Sequence, residues 1–297
     1  YGRLFLSMVL FGLLASGMDV VIPLFQQYAI NHFIADSTMQ GIWPFVALYL
    51  LVMAVQTASN YISAYGACRA ELYIGRDLRR EAFDHVQTLS FSYFNQNSVG
   101  YIHARVISDT DRIAGTLAWG IMEGVWEIAY LLFAIVMMFA LNWKLALCVM
   151  VIVPILVVSS IFFQKKLVFY QRKVREHNSQ ITSAFNEGIT GAKTTKTLVI
   201  EDKVEKEFDQ LTGEMKRVSV RAMHFRSVFM STTAFAASIA LAIVLWRGGI
   251  ITREGVMLVG TLSVFMNYAQ GMMEPIQWLV QVLSSLVNVQ VNVERFT

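Results

Sequence analysis

Six apolar stretches run along the chain, and each has about the length that an α-helix needs to cross a membrane. They cover residues 4–34, 42–67, 113–141, 145–163, 228–246 and 256–273. A helix rises about 1.5 Å per residue, so about 20 apolar residues cross a hydrocarbon core that is about 30 Å thick. The pattern therefore predicts an all-α membrane protein with six long transmembrane helices.

The polar connections between these stretches alternate between short loops and long segments. The short loops are 35–41, 142–144 and 247–255, and the long segments are 68–112 and 164–226. Of the 24 Lys and Arg residues, 6 lie in the first long segment and 13 in the second. Because Lys and Arg concentrate on the cytoplasmic side of membrane proteins, we expect both long segments and both termini to be cytoplasmic. The aromatic belt at the outer helix ends is then formed by Trp43, Trp143 and Trp246.

Both long segments carry a helical pattern of their own. Apolar side chains recur at helical spacing after the second span, at Leu78, Ala82, Val86 and Leu89. A similar pattern continues the fourth span to about Val199. The sequence thus predicts that the transmembrane helices extend into the cytoplasm and bend back at two short hinges, near residues 95–100 and 200–206.

Composition agrees with a membrane protein and excludes several other classes. Hydrophobic residues make up 56% of the chain and charged residues 15%, with a mean hydropathy of +0.51. Soluble domains have roughly 45–50% and about 25%, so an ordinary cytosolic enzyme and a disordered chain are excluded. The two cysteines, Cys68 and Cys148, provide neither a disulfide framework nor a zinc motif. The net charge of +3 follows from topology and gives no reason to expect a nucleic-acid partner. Since the chain begins at Tyr1, we expect it to be part of a longer protein.

The two hinges and the end of the chain carry motifs of a known family. The first hinge has Phe94, Gly100, Arg105 and Asp109, and the second has Glu187, Gly188, Lys196, Glu201 and Phe208. Pro275, just after the sixth span, and Glu294-Arg295-Phe296 match the stretch that leads from that span toward an ATPase domain. With six spans and these loop lengths, residues 1–297 resemble the transmembrane domain of an ABC exporter of the six-helix, type I exporter (type IV) fold.

This resemblance implies two coupling helices that dock onto nucleotide-binding domains. We expect the first to include Val99, Gly100, Tyr101, His103, Arg105 and Asp109. We expect the second to include Ile200, Glu201, Asp202, Lys203 and Lys206. The chain has no G-x-x-x-x-G-K-[ST] loop and its five histidines are scattered, so we expect no catalytic, cofactor or metal residues in it. ATP and Mg²⁺ would bind a nucleotide-binding domain outside this chain.

Polar residues within the spans are the candidates for a substrate pathway. Residues of the sixth span fall on one helix face at spacings of 3, 4 and 3, namely Asn267, Gln270, Glu274 and Gln277. They could line a pathway, hydrogen-bond neighbouring helices, or, in the lower half, simply emerge into the cytoplasm. Glu123 and Glu127, one turn apart, could bind a cation, pair with a basic group across an interface, or be exposed to an inward cavity or to headgroups. A lone carboxylate, Asp19, either serves a functional site or accepts hydrogen bonds from another helix.

We therefore expect the membrane half of an ATP-driven exporter in a bacterial plasma membrane. The resemblance implies a second transmembrane domain, identical or different, together with nucleotide-binding domains. A small amphipathic molecule, a lipid or a peptide could be the substrate. The alternative is an ion-coupled secondary transporter that uses Asp19, Glu123 or Glu274. A third possibility is a scaffold or receptor whose cytoplasmic helices dock a signalling partner.

Overall fold

The computed structural model describes residues 2–282, and all regular secondary structure within that range is helical. The long helices are α1 (Gly2–Tyr28), α2 (Ile42–Gln87), α5 (Thr110–Met150), α6 (Ile152–Thr190) and α8 (Glu201–Arg253). The shorter ones are α3 (Phe91–Gln96), α4 (Val99–His103), α7 (Ala192–Leu198) and α9 (Val259–Gly271). Two π-helical turns, Ala29–Ile34 and Ala104–Asp109, follow α1 and α4. The predicted all-α class is confirmed in this range, whereas Glu294, Arg295 and Phe296 lie outside it.

Five helical segments of the described chain are long and apolar enough to cross a membrane. They are Gly2–Ile34, Ile42–Gln87, Val99–Met150, Ile152–Thr190 and Glu201–Arg253. The sixth predicted span, 256–273, coincides with α9, which has 13 residues and is therefore only about 20 Å long. The helix is interrupted at Met272 and resumes over 273–282. The predicted sixth span is therefore not one of the five described helices that are long enough by themselves to cross a membrane.

The chain turns sharply within α5, at the short loop predicted between the third and fourth spans. Asn142 has an extended backbone (φ −160°, ψ 101°) inside an otherwise helical stretch. Its side-chain oxygen accepts a hydrogen bond from the Leu145 amide at 3.2 Å, which caps the helical arm that follows. This turn confirms that the helix breaks where the polar loop 142–144 predicts.

The predicted cytoplasmic extensions differ between the two long segments. After the second span the prediction is confirmed, because α2 continues without a break to Gln87. The second extension is not one helix as far as Val199, since α6 ends at Thr190 and Gly191 separates it from the short α7. A corner at Val199 then leads into α8.

The described chain divides into two compact units, of which the first comprises residues up to Leu147 and Val244–Pro275. Its α1 and α2 pack closely through small side chains, as is usual between membrane helices. The Ser63 hydroxyl donates to the Met8 carbonyl oxygen at 3.1 Å, and Gly66 lies against the Met8 side chain. The Ser16 hydroxyl donates to the Trp126 carbonyl oxygen at 3.3 Å, which joins α1 to α5.

Within the first unit, α9 runs antiparallel to the second half of α1 and is held there by polar contacts. The Tyr268 hydroxyl donates to the Val20 carbonyl oxygen at 2.6 Å. Farther along, the Gln27 amide donates to the Thr261 hydroxyl at 2.8 Å. The amide of Gly260 donates to the Asn31 side-chain oxygen, also at 2.8 Å. These bonds fix the helix face that α9 turns toward α1.

The second unit comprises residues 148–243 and 276–282 of the described chain, and aromatic pairs join its α6 to α8. Phe163 and Phe229 have ring centroids 5.6 Å apart, and those of Tyr170 and Phe225 are 5.0 Å apart in a stacked arrangement. Because residue numbers rise in α6 as they fall in α8, the two helices run antiparallel.

Candidate functional site

The α9 helix and the turn after it have one buried face and one exposed polar face. Val264, Phe265, Tyr268 and Ala269 are fully buried. On the opposite side, Asn267, Gln270 and Glu274 are exposed, and Gln277 is half-buried. The predicted one-sided distribution of polar residues is therefore present. Hydrocarbon would penalise such a face strongly, because amide and carboxyl groups lose their hydrogen bonds to water there.

The members of this polar face differ in what they bind. The Asn267 amide donates to the Gln26 side-chain oxygen at 3.0 Å and to the Ser263 carbonyl oxygen at 2.9 Å. Asn267 therefore helps to hold α9 against α1. The side chains of Gln270 and Glu274 form no hydrogen bond or ion pair within residues 2–282. Of the exposed polar residues, these two remain available to a ligand.

Glu127 on α5 lies beside this face and is the most deeply buried of the candidate carboxylates. Only 7% of the residue is exposed, and its Oε2 atom has no hydrogen-bond partner in the described chain. The charges of Glu274 and Glu123 both act on it. Close contact between Tyr130 and Gly271 brings α5 and α9 together here, since a Cβ at position 271 would overlap the Tyr130 hydroxyl. Three of the predicted carboxylates thus form one cluster, Glu123, Glu127 and Glu274.

Asp19, unlike Glu127, has a hydrogen-bond partner for each of its carboxylate oxygens. The Gln56 side-chain amide donates to its Oδ1 atom, and the Trp126 indole N–H donates to its Oδ2 atom at 2.8 Å. Both carboxylate oxygens are therefore occupied. The residue links α1 to α2 and α5, as the second interpretation of its sequence position suggests.

Two tryptophans of α5 serve these contacts and have no assigned role in the sequence analysis. Trp126 binds Asp19, and the Trp119 indole donates to Oε2 of Glu71 on α2 at 2.9 Å. A detectable signal exists in the sequence, because Trp119, Glu123, Trp126 and Tyr130 follow spacings of 4, 3 and 4. Such spacing places them on one helix face. What the spacing cannot show is which residues of other helices they bind.

At the first bend, which is predicted to be cytoplasmic, the predicted coupling segment contains a short helix, α4. The Ser98 hydroxyl caps it by accepting from the Tyr101 amide at 3.2 Å. Arg105 and Asp109 form an ion pair at 2.7 Å, and the Arg105 guanidinium carbon lies 5.1 Å from the Tyr101 ring centroid. Gly100 and His103 are exposed. Apolar side chains are exposed here too, with Phe91 at 89% and Val99 at 84%.

At the second bend, the structure differs from the predicted short helix over 200–206. The short helix is α7, and Glu201, Asp202, Lys203 and Lys206 belong to the first turns of α8. Val199 causes the corner, because its left-handed backbone (φ 53°, ψ 47°) cannot continue a helix. Two acidic residues in the first turn of α8 then favour its start through the helix dipole.

An ion pair and an exposed apolar tip characterise this corner. The Lys196 ammonium lies 2.9 Å from Oε1 of Glu201, and this hydrogen bond lowers the pKa of the Glu201 carboxyl. Leu198, Val199 and Ile200 are exposed, Val199 at 81%. Both bends thus present apolar side chains to solvent.

Comparison with known proteins gives a consistent family match. Residues 4–276 match the family described as ABC transporter transmembrane region. YgaD of Bacillus subtilis (strain 168), whose name provisionally describes a multidrug export ATP-binding/permease protein, is 22% identical over 97% of this chain and 50% of its own length. An ATP-dependent lipid A-core flippase of Vibrio cholerae is 24% identical over 84% of this chain and 43% of its own length. The chain thus spans about half the length of the curated relatives that it matches.

Proposed function

Because the chain belongs to the ABC transporter transmembrane-region family, we propose that it is the membrane half of an ATP-driven exporter. Multidrug export and lipid A-core flipping, named for its relatives, both move amphipathic molecules. An amphipathic small molecule or lipid is therefore the proposed substrate. The proposed assembly contains a second transmembrane domain and two ATPase domains, which supply the ATP and Mg²⁺ sites.

One observation carries the pathway assignment: the polar face of α9 is exposed and partly unpaired. Gln270 and Glu274 have no hydrogen-bond partner within residues 2–282, whereas the opposite face is fully buried. A membrane helix retains such a face where it borders water, a ligand or another polar helix. A cavity between two transmembrane domains provides water and ligand together. We therefore assign Gln270 and Glu274 to the pathway wall, with Asn267 and Gln277 at its margin and Asp19 outside it.

The two cytoplasmic bends are the proposed contacts with the ATPase domains. Exposed Phe91 and Val99 at the first bend would lose unfavourable contact with water when covered by a partner. The backbone conformation of Val199 gives a second reason to propose a partner contact, at the other bend. A β-branched residue in a left-handed conformation is unfavourable, and its side chain is exposed rather than packed. Such a residue is understandable if its side chain binds a partner.

The proposed cycle couples these surfaces to the pathway. ATP binding would draw the ATPase domains together and move the bends that rest on them. The long helices would transmit this movement, because α2 and α8 run unbroken from their cytoplasmic ends through their apolar segments. The cavity would then change from inward-facing to outward-facing, and hydrolysis would reset it.

Transport by the full-length protein in proteoliposomes tests this function against the ion-coupled alternative. The probes are Hoechst 33342 and a lipid with a nitrobenzoxadiazole label. We expect ATP to drive the movement of at least one probe and a proton gradient alone to drive neither. Gln270→Ala should slow the movement, whereas Gln40→Ala, in an exposed outer loop, should not. Movement driven by a proton gradient without ATP would contradict the proposal.

A further inference from the structure

The spans of this chain contain carboxylates but no Lys or Arg that could neutralise them, and their one histidine, His32, lies beside Asp36 at the end of the first span. Within the six apolar stretches, Asp and Glu occur at Asp19, Glu123 and Glu127, and Glu274 follows directly after the sixth. None of the six stretches contains Lys or Arg. A second copy of the same chain would bring no Lys or Arg to this depth either. Their negative charge must therefore be compensated by other donors, by protons or by a ligand.

Hydrogen bonds compensate one of these carboxylates but not the others. Asp19 receives N–H donors from Gln56 and Trp126 on its two oxygens. Glu127 is 7% exposed, and its Oε2 atom has no donor in the described chain. Glu274, also without a hydrogen bond there, and the exposed Glu123 add their negative charges nearby. A buried acceptor without a donor is costly, so this cluster favours a positively charged occupant.

The surroundings of the cluster fit an organic cation better than a metal ion. Within residues 2–282, no group of three or more His, Cys, Asp or Glu side chains is arranged to hold a metal. The Trp126 and Tyr130 rings, which flank Glu127 along α5, stack with centroids 5.5 Å apart. Met272 and Met273, next to Glu274, are buried. An apolar environment of this kind suits a large, weakly hydrated cation, whereas a small inorganic ion would lose more hydration energy.

We propose that Glu127 and Glu274, assisted by Glu123, form a recognition site for amphipathic organic cations. This inference rests on the proposed function, because it assigns a substrate class to the pathway wall that α9 provides. The Glu127 carboxylate would contact the bound cation from the buried side of the site, and the Glu274 carboxylate would contact it from the exposed side. The exposed amide of Gln270, one turn before Glu274, would offer hydrogen bonds at the edge.

Binding of two ions of matched shape and opposite charge tests the site without ATP. The full-length protein in nanodiscs is titrated with tetraphenylphosphonium and, separately, with tetraphenylborate. We expect saturable binding of the phosphonium cation, with a Kd that rises at least about tenfold in Glu127→Gln and in Glu274→Gln. Binding of the borate anion should not weaken in either variant. Glu254→Gln, an exposed outer-loop change, should bind the cation like the wild type.

The binding results test the cation site independently of transport. Absence of saturable cation binding by the wild type overturns it, and so does an equal loss of both ions in the variants. Size-exclusion profiles and melting temperatures show which variants are folded, and Glu274→Gln at the exposed position serves if Glu127→Gln is not. ATP-driven lipid movement is measured on the same preparation. If that movement persists while the cation does not bind, the cation site is refuted and the exporter function stands.

Discussion

The Trp126 indole N–H lies 2.8 Å from Oδ2 of Asp19, which joins α5 to α1 in the middle of two apolar segments. Gln56 of α2 donates to the other oxygen of the same carboxylate. One carboxylate thereby connects three helices that are distant in sequence. Asp19 therefore joins neighbouring helices, which agrees with the second of the two roles that its sequence position leaves open.

Replacing the donor tests this structural role. Trp126→Phe keeps an aromatic side chain, although a smaller one, and leaves one oxygen of Asp19 without its N–H donor. Hydrogen bonds to charged groups contribute about 1.5–3 kcal/mol, so we expect a loss of that order in the free energy of unfolding. Denaturant unfolding in detergent measures it. Trp143→Phe is the control, because Trp143 is 58% exposed, and it should change stability by less than about 0.5 kcal/mol. Equal losses in the two variants would show that the hydrogen bond is not the cause.

At Gly260, α9 lies close against the end of α1 and the turn that follows it. A Cβ at this position would lie 2.7 Å from the Asn31 side-chain oxygen and would overlap the Gln27 carbonyl oxygen. Because backbone cannot move aside easily, Gly260→Ala should destabilise the first unit by about 1–3 kcal/mol. Gly249→Ala is the matched control, since nothing lies within 4 Å of its added methyl group. The melting temperature should fall in the first variant only, and an unchanged value there would contradict this helix contact.

A substitution at Val199 can separate an effect on stability from an effect on the coupling of substrate to ATP hydrolysis. Glycine accepts a left-handed backbone that costs other residues about 1–2 kcal/mol, so Val199→Gly should not lower the melting temperature. Val220→Gly, in the regular part of α8, should lower stability by about 0.5–1 kcal/mol. If the exposed Val199 side chain contacts an ATPase domain, substrate-stimulated ATP hydrolysis should fall in Val199→Gly. Unchanged stimulation would remove Val199 from the proposed contact.

Local pattern predicts the helices well and the corners poorly. The helical spacing of Leu78, Ala82 and Val86 correctly predicts that α2 continues beyond its apolar part. The polar loop around Asn142 correctly predicts a turn. By contrast, the second corner rests on a β-branched residue with positive φ, a conformation that residue propensities disfavour. The sequence therefore places that hinge a few residues too late.

For the candidate site too, the sequence predicts features within one helix but not the contacts between helices. Spacings of 3 and 4 predict that Asn267, Gln270 and Glu274 share a face, because helical geometry alone determines this. They cannot show that Asn267 binds Gln26, which is 241 residues away in sequence. Nor can they show that both carboxylate oxygens of Asp19 accept hydrogen bonds, whereas Oε2 of Glu127 has no donor in the described chain. Such pairings depend on how helices pack, and no local pattern encodes them.

Charge reversal at the start of α8 tests the second bend as a coupling element. Glu201→Lys combined with Asp202→Lys removes the ion pair with Lys196 and reverses the charge beside the exposed corner. Since Glu201 and Asp202 lie near solvent, we expect a small change in melting temperature but a loss of substrate-stimulated ATP hydrolysis and transport. Glu207→Lys with Asp209→Lys makes the same change in charge farther along α8, at exposed positions, and should retain coupling. Normal stimulation and transport in the first pair would exclude this bend from the ATPase contact.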